Sequence, residues 1–362
     1  AAALCAVGVP VTPLCNEVTS GRAASAEFIS QTSSFIVIQL VILFFIIPFI
    51  ILMITDRKAI VKNVLLSLWT GIISFAAQYS CARFLGAETP AILGSIAAIV
   101  AIIIYAKLFV KNPKTENSEK TEKKSYTLNE TFRAWSVYLF ILVFILISGA
   151  LCPPVNTFLK THLVTKLTLP VIGSTVSFGW ISNAGLMLFL GATIGGMVQG
   201  MSFVKLMVLL ARTIVKSNKT IITIVSLIAL SSVMNNSGMI NAIAVGLVAL
   251  TGSFYPFFAP LIGAIGTFVT GSDTSANILF GKLQANVASQ LGLTPDQSTW
   301  LVASNTTGAT GGKMISPQSI AIATAACDMD GKDGEILKSA IPYAALYIII
   351  SGLMVYFGLT II

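Results

Sequence analysis

The feature that most restricts this chain is a succession of apolar runs of about 20 residues, each long enough to cross roughly 30 Å of hydrocarbon as a helix. Such spans are expected at about 34–54, 64–85, 90–110 and 134–152, and further ones follow at 181–200 and 340–361. With 55% hydrophobic and 10% charged residues, the sequence is too apolar for a soluble domain of its length. The expected fold class is all-α, a polytopic membrane protein. A net charge of +8 raises the question of nucleic acid, but the Lys and Arg residues sit in short loops between apolar spans. That distribution is a topology signal, so the expected partner is the lipid bilayer and no nucleic acid.

The loops set the orientation. The linker 55–63 holds Arg57, Lys58 and Lys62, and the linker 111–133 holds Lys111, Lys114, Lys120, Lys123, Lys124 and Arg133 among four glutamates. They lie two crossings apart and share a side, which their basic bias makes cytoplasmic. The linker 111–133 reads as a solvated spacer. Residues 15–33 are small and polar, a loop or interfacial segment, and residues 1–14 read as the end of an apolar hairpin. The chain opens Ala-Ala-Ala-Leu-Cys without Met, and residues upstream of it are expected.

Beyond residue 152 the pattern becomes irregular. Residues 153–180 are expected to form a Pro- and Thr-containing external connection. The span 181–200 carries Gly185, Gly191, Gly195, Gly196 and Gly200, a spacing that lets helices approach closely in lipid. Residues 202–217 suit an interfacial helix whose Lys205, Arg212 and Lys216 reach the cytoplasmic surface. The apolar segment 220–252 is interrupted by Met234-Asn-Asn-Ser-Gly-Met239. Two amides and a hydroxyl in mid-span suit a break where freed backbone groups face a ligand, which nominates Asn235, Asn236 and Ser237. A plain loop between two short helices is the competing reading.

Two further stretches concentrate the chemistry. The first is Gly271-Ser-Asp-Thr-Ser-Ala-Asn-Ile-Leu-Phe-Gly-Lys-Leu-Gln284, and the second is Ser304-Asn-Thr-Thr-Gly-Ala-Thr-Gly-Gly-Lys-Met-Ile-Ser-Pro-Gln-Ser319. Hydrocarbon offers no hydrogen-bond partners, so polar runs persist at membrane depth only where they line a cavity or are covered by protein. Asp273 is the only acidic residue in the membrane-embedded part of 181–325 and is the candidate for proton coupling. Its alternative role is to cap the following helix, for which Ser272 and Thr274 are equally competent. Candidate substrate groups are Ser272, Thr274, Ser275, Asn277 and Lys282 in the first stretch. The second supplies Ser304, Asn305, Thr306, Lys313, Ser316 and Gln318. Lys282 lies nine residues from Asp273 and faces away from it on a continuous helix. The second stretch is expected to be the tip of a re-entrant hairpin, where Lys313 either offers a compact positive charge to a carboxylate or snorkels to the interface.

Several classes are excluded or disfavoured. The phosphate-loop pattern fails because Thr307 takes the first Gly position and Met314 follows the Lys. His162 is the only histidine and the five cysteines form no CxxC pair, so no metal site and no cofactor are expected. Asp328–Glu335 departs from a calcium loop at Lys332 and reads as a solvated turn. No converging catalytic set is visible, so an enzyme is not expected.

The runs Thr270 to Gln284, Ser304-Asn-Thr-Thr-Gly308, Gly312-Lys-Met-Ile-Ser-Pro-Gln-Ser-Ile-Ala321 and Asn236-Ser-Gly-Met239 resemble the lactate permease family, proton-coupled carriers of small 2-hydroxy monocarboxylates. The resemblance implies a plasma-membrane symporter of lactate or glycolate with a proton. It also implies an inverted-repeat architecture of broken helices and re-entrant hairpins. On that plan residues 1–14 end a first-repeat hairpin, 15–152 form scaffold spans, and 153–362 are the second repeat with its half-site. The family's N-terminal half is then absent from this sequence. A sodium-coupled anion carrier is the alternative, because Ser-Asn-Thr runs also suit Na⁺.

Overall fold

The computed structural model describes all residues except 1–7, 9, 20–23, 56–58, 110–126, 149–151, 163, 170–173, 182–183, 217, 219–221, 223–224, 227–228, 231–232, 235, 327–328 and 330–331. Among the described residues, five helices are long and apolar enough to cross a membrane: Asn63–Phe84, Pro90–Phe109, Leu128–Ser148, Asn241–Thr270 and Asp333–Gly358. A sixth is obtained if Ala26–Gln39 and Val41–Met53, which meet at a 46° bend, form one span. The chain divides into two compact units, residues 103–222 and the remainder, 1–102 with 223–362.

The unit 103–222 is built on α6 (Leu128–Ser148) and α8 (Ala184–Val198). These two touch backbone to backbone. A Cβ at Gly191 would come within 2.7 Å of the Ile141 main chain, and one at Gly195 would overlap Val137. The Ser136 hydroxyl donates to the Gly195 carbonyl at 3.0 Å in the same interface. Small residues spaced four apart thus do what lipid-embedded helices require, bringing main chains into dispersion contact. Arg133, expected in the preceding linker, belongs to α6, and its Nε donates to the Val198 carbonyl at the end of α8. Within the connection expected at 153–180, the described residues include α7 (Pro153–Thr161) and an antiparallel pair of strands, β1 (Val164–Leu169) and β2 (Ser174–Gly179). The amphipathic α9 (Phe203–Lys216) carries Lys205 and Arg212 on its exposed surface.

The larger unit begins with α1 (Val11–Val18), α2 (Ala26–Gln39), α3 (Val41–Thr55), α4 (Ala59–Phe84) and α5 (Pro90–Phe109). It closes with α10 (Met239–Thr251), α11 (Tyr255–Thr270), α12 (Asp273–Gln290), α13 (Pro295–Lys313), α14 (Pro317–Ala326) and α15 (Asp333–Gly358). Much of residues 15–33 is therefore helical rather than loop. Thr32, Ser33 and Ser34 are buried, and each hydroxyl donates to the carbonyl four residues back, so their polarity never reaches lipid. The span expected at 34–54 is broken at Leu40.

The core inverts the order of a soluble protein. The least apolar helices, α12 and α13, lie inside, while the aliphatic faces of α5, α11 and α15 point outward. Every residue of α13 from Thr299 to Gly312 is buried. The approach of α11 to α13 leaves no space for side chains. A Cβ at Gly308 would overlap the Pro260 carbonyl, one at Gly312 the Ala264 carbonyl, and one at Gly263 the Asn305 carbonyl. Trp300 closes one end of this core against Phe35, with ring centroids 5.3 Å apart, and donates from Nε1 to the Val355 carbonyl. The free thiols Cys15 and Cys81 are buried packing groups.

Candidate functional site

The second signature stretch is not a hairpin tip along its length. Ser304–Lys313 is the buried half of α13, and the chain turns only at Met314–Ser316 before α14. The reason is local: Thr294 caps the helix in a reciprocal box with Gln297, and Gly308, Gly311 and Gly312 are tolerated because α11 and α15 press on them. The first stretch starts at a sharp corner. Gly271 adopts φ +71°, a left-handed conformation that favours glycine, and a Cβ there would overlap Gln318 Oε1. The Ser272 hydroxyl then accepts from the Ser275 N–H and caps α12, so capping falls to Ser272 and leaves the Asp273 carboxyl for other work.

Two polar groups of side chains result. The central one is a partnered ladder through α11, α12 and α13. The Asn277 Nδ2 donates to the Thr306 hydroxyl at 2.7 Å and to the Pro10 carbonyl at 3.0 Å. Asn305 Nδ2 donates to Asn277 Oδ1 at 2.8 Å, and Gln284 Nε2 donates to Asn305 Oδ1 at 3.3 Å. The Tyr255 hydroxyl donates to Gln284 Oε1 at 2.9 Å. Gln39 extends the polar core from the α2–α3 break, donating to the Trp300 carbonyl and accepting from the Thr307 hydroxyl, each at 2.7 Å. Ser304 donates to its own helix, to the Leu301 carbonyl.

The second group gathers at the start of α12 and is unpartnered. Asp273 is 6% exposed and its Oδ1 has no hydrogen-bond partner among the described residues. Thr267 Oγ1 on α11 and the Tyr347 hydroxyl on α15 are likewise buried; Thr267 faces Asp273 and Tyr347 faces Thr310, but neither pair closes into a hydrogen bond. Lys313, half-buried at the end of α13, is near enough for its charge to act on Asp273, and Asp273 in turn acts on Tyr347. The Tyr347 ring packs on Gly311, where an added Cβ would lie 2.8 Å from Cδ1. Ser316 caps α14 through the Ser319 N–H, beside this group.

The remaining candidates lie elsewhere or are more exposed. Lys282 Nζ is directed to the Val18 carbonyl at the end of α1, at 3.5 Å. Asn236 and Ser237 are exposed, and Asn235 lies outside the described residues. The chain does break there, with Gly238 at φ +76° ahead of α10. However, α10 meets α12 at Gln290, which donates to Asn241, about 25 Å from Asp273 along the helix at 1.5 Å per residue. Thr274 is half-buried, Ser275 is buried, and Gln318 is exposed over Gly271. Among the described residues no cluster of three or more His, Cys, Asp or Glu is placed to hold a metal.

Sequence reasoning missed Gln39, Tyr255, Thr267 and Tyr347. Gln39 had a signal, as the one amide in an otherwise apolar run from Phe35 to Met53. Tyr347 had none, because an isolated tyrosine in an apolar span is an ordinary core residue.

The family model for L-lactate permease matches residues 1–362. Curated relatives include an L-lactate permease of Streptococcus iniae, 36% identical over 293 residues, covering 80% of this chain and 60% of that protein. Glycolate permease GlcA of Escherichia coli K12 is 31% identical over 318 residues, covering 78% and 56%. An L-lactate permease of Bacillus subtilis is 30% identical, covering 95% and 67%. The chain thus spans 56–67% of the length of these relatives. No solved structure matches.

Proposed function

The chain belongs to the L-lactate permease family, and from that premise we propose that it serves a secondary carrier that moves lactate or a similar 2-hydroxy monocarboxylate together with a proton across the plasma membrane. The observation that carries the coupling is the buried Asp273, with one oxygen unpartnered, within electrostatic reach of Lys313.

Charge balance supplies the mechanism. With Asp273 ionised and Lys313 protonated, the empty chamber is neutral. A substrate carboxylate entering alone would add an uncompensated charge in a low-dielectric interior, which is costly. A proton arriving on Asp273 restores neutrality, since Lys313 then balances the substrate. Two occupancy states are therefore cheap to carry across the bilayer: neither ligand, or both. That restriction is what makes the two movements obligatorily coupled. The amide ladder of Asn277, Asn305 and Gln284 is satisfied within the protein and acts as the rigid wall that holds α12 and α13 in register.

The test is uptake of labelled lactate into proteoliposomes holding the full-length protein, with and without an inwardly directed proton gradient, and with choline replacing Na⁺ at fixed pH. Accumulation that follows the proton gradient and ignores choline is expected. Accumulation that follows Na⁺ alone would transfer the site to the sodium-coupled class.

A further inference from the structure

The unpartnered atoms beside Asp273 have a chemistry that the proton alone does not use. Thr267 Oγ1, Asp273 Oδ1 and the Tyr347 hydroxyl come from α11, α12 and α15, and all three are buried. One turn beyond Tyr347, Ser351 Oγ is also buried and unpartnered. Buried polar atoms are nearly always hydrogen-bonded, so unsatisfied atoms at one locus on three helices point to a ligand that completes them. The neighbouring ladder makes the contrast, because there every amide finds a partner inside the protein. Tyr347 also lines a cavity of about 170 Å³ between α3, Met314 and α15, whose other lining residues include Leu43, Ile47 and Ile350.

Resting on the carrier reading above, we infer that Tyr347 and Asp273 together read the 2-hydroxyl of the substrate, while Lys313 takes its carboxylate. A hydroxyl is donor and acceptor at once. An ionised Asp273 accepts its proton while Tyr347 donates to its oxygen. When Asp273 is protonated the carboxyl donates and Tyr347 turns to accept, so the hydroxyl stays paired whether the substrate or the proton arrives first. The small alkyl end of the acid then faces the aliphatic cavity wall. A monocarboxylate without the hydroxyl leaves the same buried atoms unpaired, and such a site rejects it.

The experiment measures competition against labelled lactate uptake by the full-length protein in proteoliposomes. Unlabelled lactate, propionate and 2-methoxypropionate are the competitors; the last keeps the oxygen but loses the hydroxyl proton. In the wild-type protein, propionate and 2-methoxypropionate are expected to compete at least about tenfold more weakly than lactate. Equal potency of all three would overturn the inference without any variant. In Tyr347→Phe, which keeps the ring and its packing on Gly311, the preference for lactate over propionate is expected to shrink about tenfold, through loss of lactate potency alone. Parallel weakening of lactate and propionate, or an unchanged ratio, would make Tyr347 a packing residue and overturn the assignment. Wild-type protein that takes up no lactate would instead defeat the carrier reading on which this rests.

Discussion

Asn305 and Asn277 face each other across the interface of α12 and α13, the amide nitrogen of the first donating to the carbonyl oxygen of the second at 2.8 Å. Both side chains are fully buried, and each holds another member of the ladder, Gln284 on one side and Thr306 on the other. Two helices too polar to be held together by lipid exclusion are thereby fastened by amides.

Removing one rung strands the others. Asn305→Ala leaves Asn277 Oδ1 without a donor, at roughly 1–3 kcal/mol, and the Gln284 amide with only its bond to the Ala259 carbonyl. The expected outcome is a clear fall in the thermal unfolding temperature of the detergent-solubilised protein. Asn305→Asp, which keeps an acceptor for Gln284 but loses the donor to Asn277, is expected to fall at least as far. An unchanged melting profile in both variants would show that the ladder carries no stability.

Gly308 is constrained by contact with main chain. A Cβ there overlaps the Pro260 carbonyl, and backbone cannot move aside as a flexible side chain does. Gly308→Ala is expected to abolish monodisperse elution on size-exclusion chromatography. Gly246→Ala, on α10 with nothing within 4 Å of the added carbon, should elute as wild type. Equal behaviour of the two would refute the close α11–α13 packing.

Asp273→Asn keeps the size of the side chain and removes its capacity to gain and lose a proton. Gradient-driven accumulation of lactate is expected to vanish while exchange of labelled for unlabelled lactate persists in part. The check is to run both assays on one proteoliposome preparation. Accumulation at the wild-type level would remove Asp273 from coupling.

The two lysines of the signature stretches should separate. Lys313 acts on Asp273, whereas Lys282 reaches the Val18 carbonyl at the end of α1. Lys313→Met is therefore expected to raise KM for lactate tenfold or more, since a buried anion needs a compensating charge. Lys282→Met should leave KM within about twofold, because its bond to the Val18 carbonyl, of about 1 kcal/mol, seats α1 and not the Asp273 group. A larger KM effect at Lys282 than at Lys313 would reverse this assignment.

What was legible in the sequence follows from the solvent. The helices at 63–84 and 90–109 face lipid, need no specific partners, and so declare themselves by composition alone. Asp273, Asn277, Asn305 and Lys313 stood out because amides and charges are conspicuous in an apolar chain. The buried half of the helix Pro295–Lys313, from Ser304 on, read as a hairpin tip, since a helix covered on all sides by others has no reason to be apolar. Thr32 and Ser33 misled in the same way: bonded back to their own helix, they are polar in composition but not in contact. The site's third wall was illegible, because Tyr347 comes within electrostatic range of Asp273 only through the packing of α15 on Gly311.

Gln39 offers the sharpest test of how the apolar first spans join the polar core. It sits at the end of α2, where a 46° bend turns the chain into α3, and its amide bridges the Trp300 carbonyl and the Thr307 hydroxyl. Gln39→Leu preserves approximate volume but leaves that carbonyl without the amide donor and the hydroxyl with only its weaker bond to Ala303, at 3.3 Å. A loss of about 1–3 kcal/mol is expected, read as a lower unfolding temperature in detergent. Gln39→Glu retains the acceptor for Thr307 yet takes the donor from Trp300 and buries a charge, so it should be the more damaging of the two. A Leu variant as stable as wild type, with the Glu variant equal to it, would mean that the bend is held by apolar packing alone and that Gln39 is incidental to the core it touches.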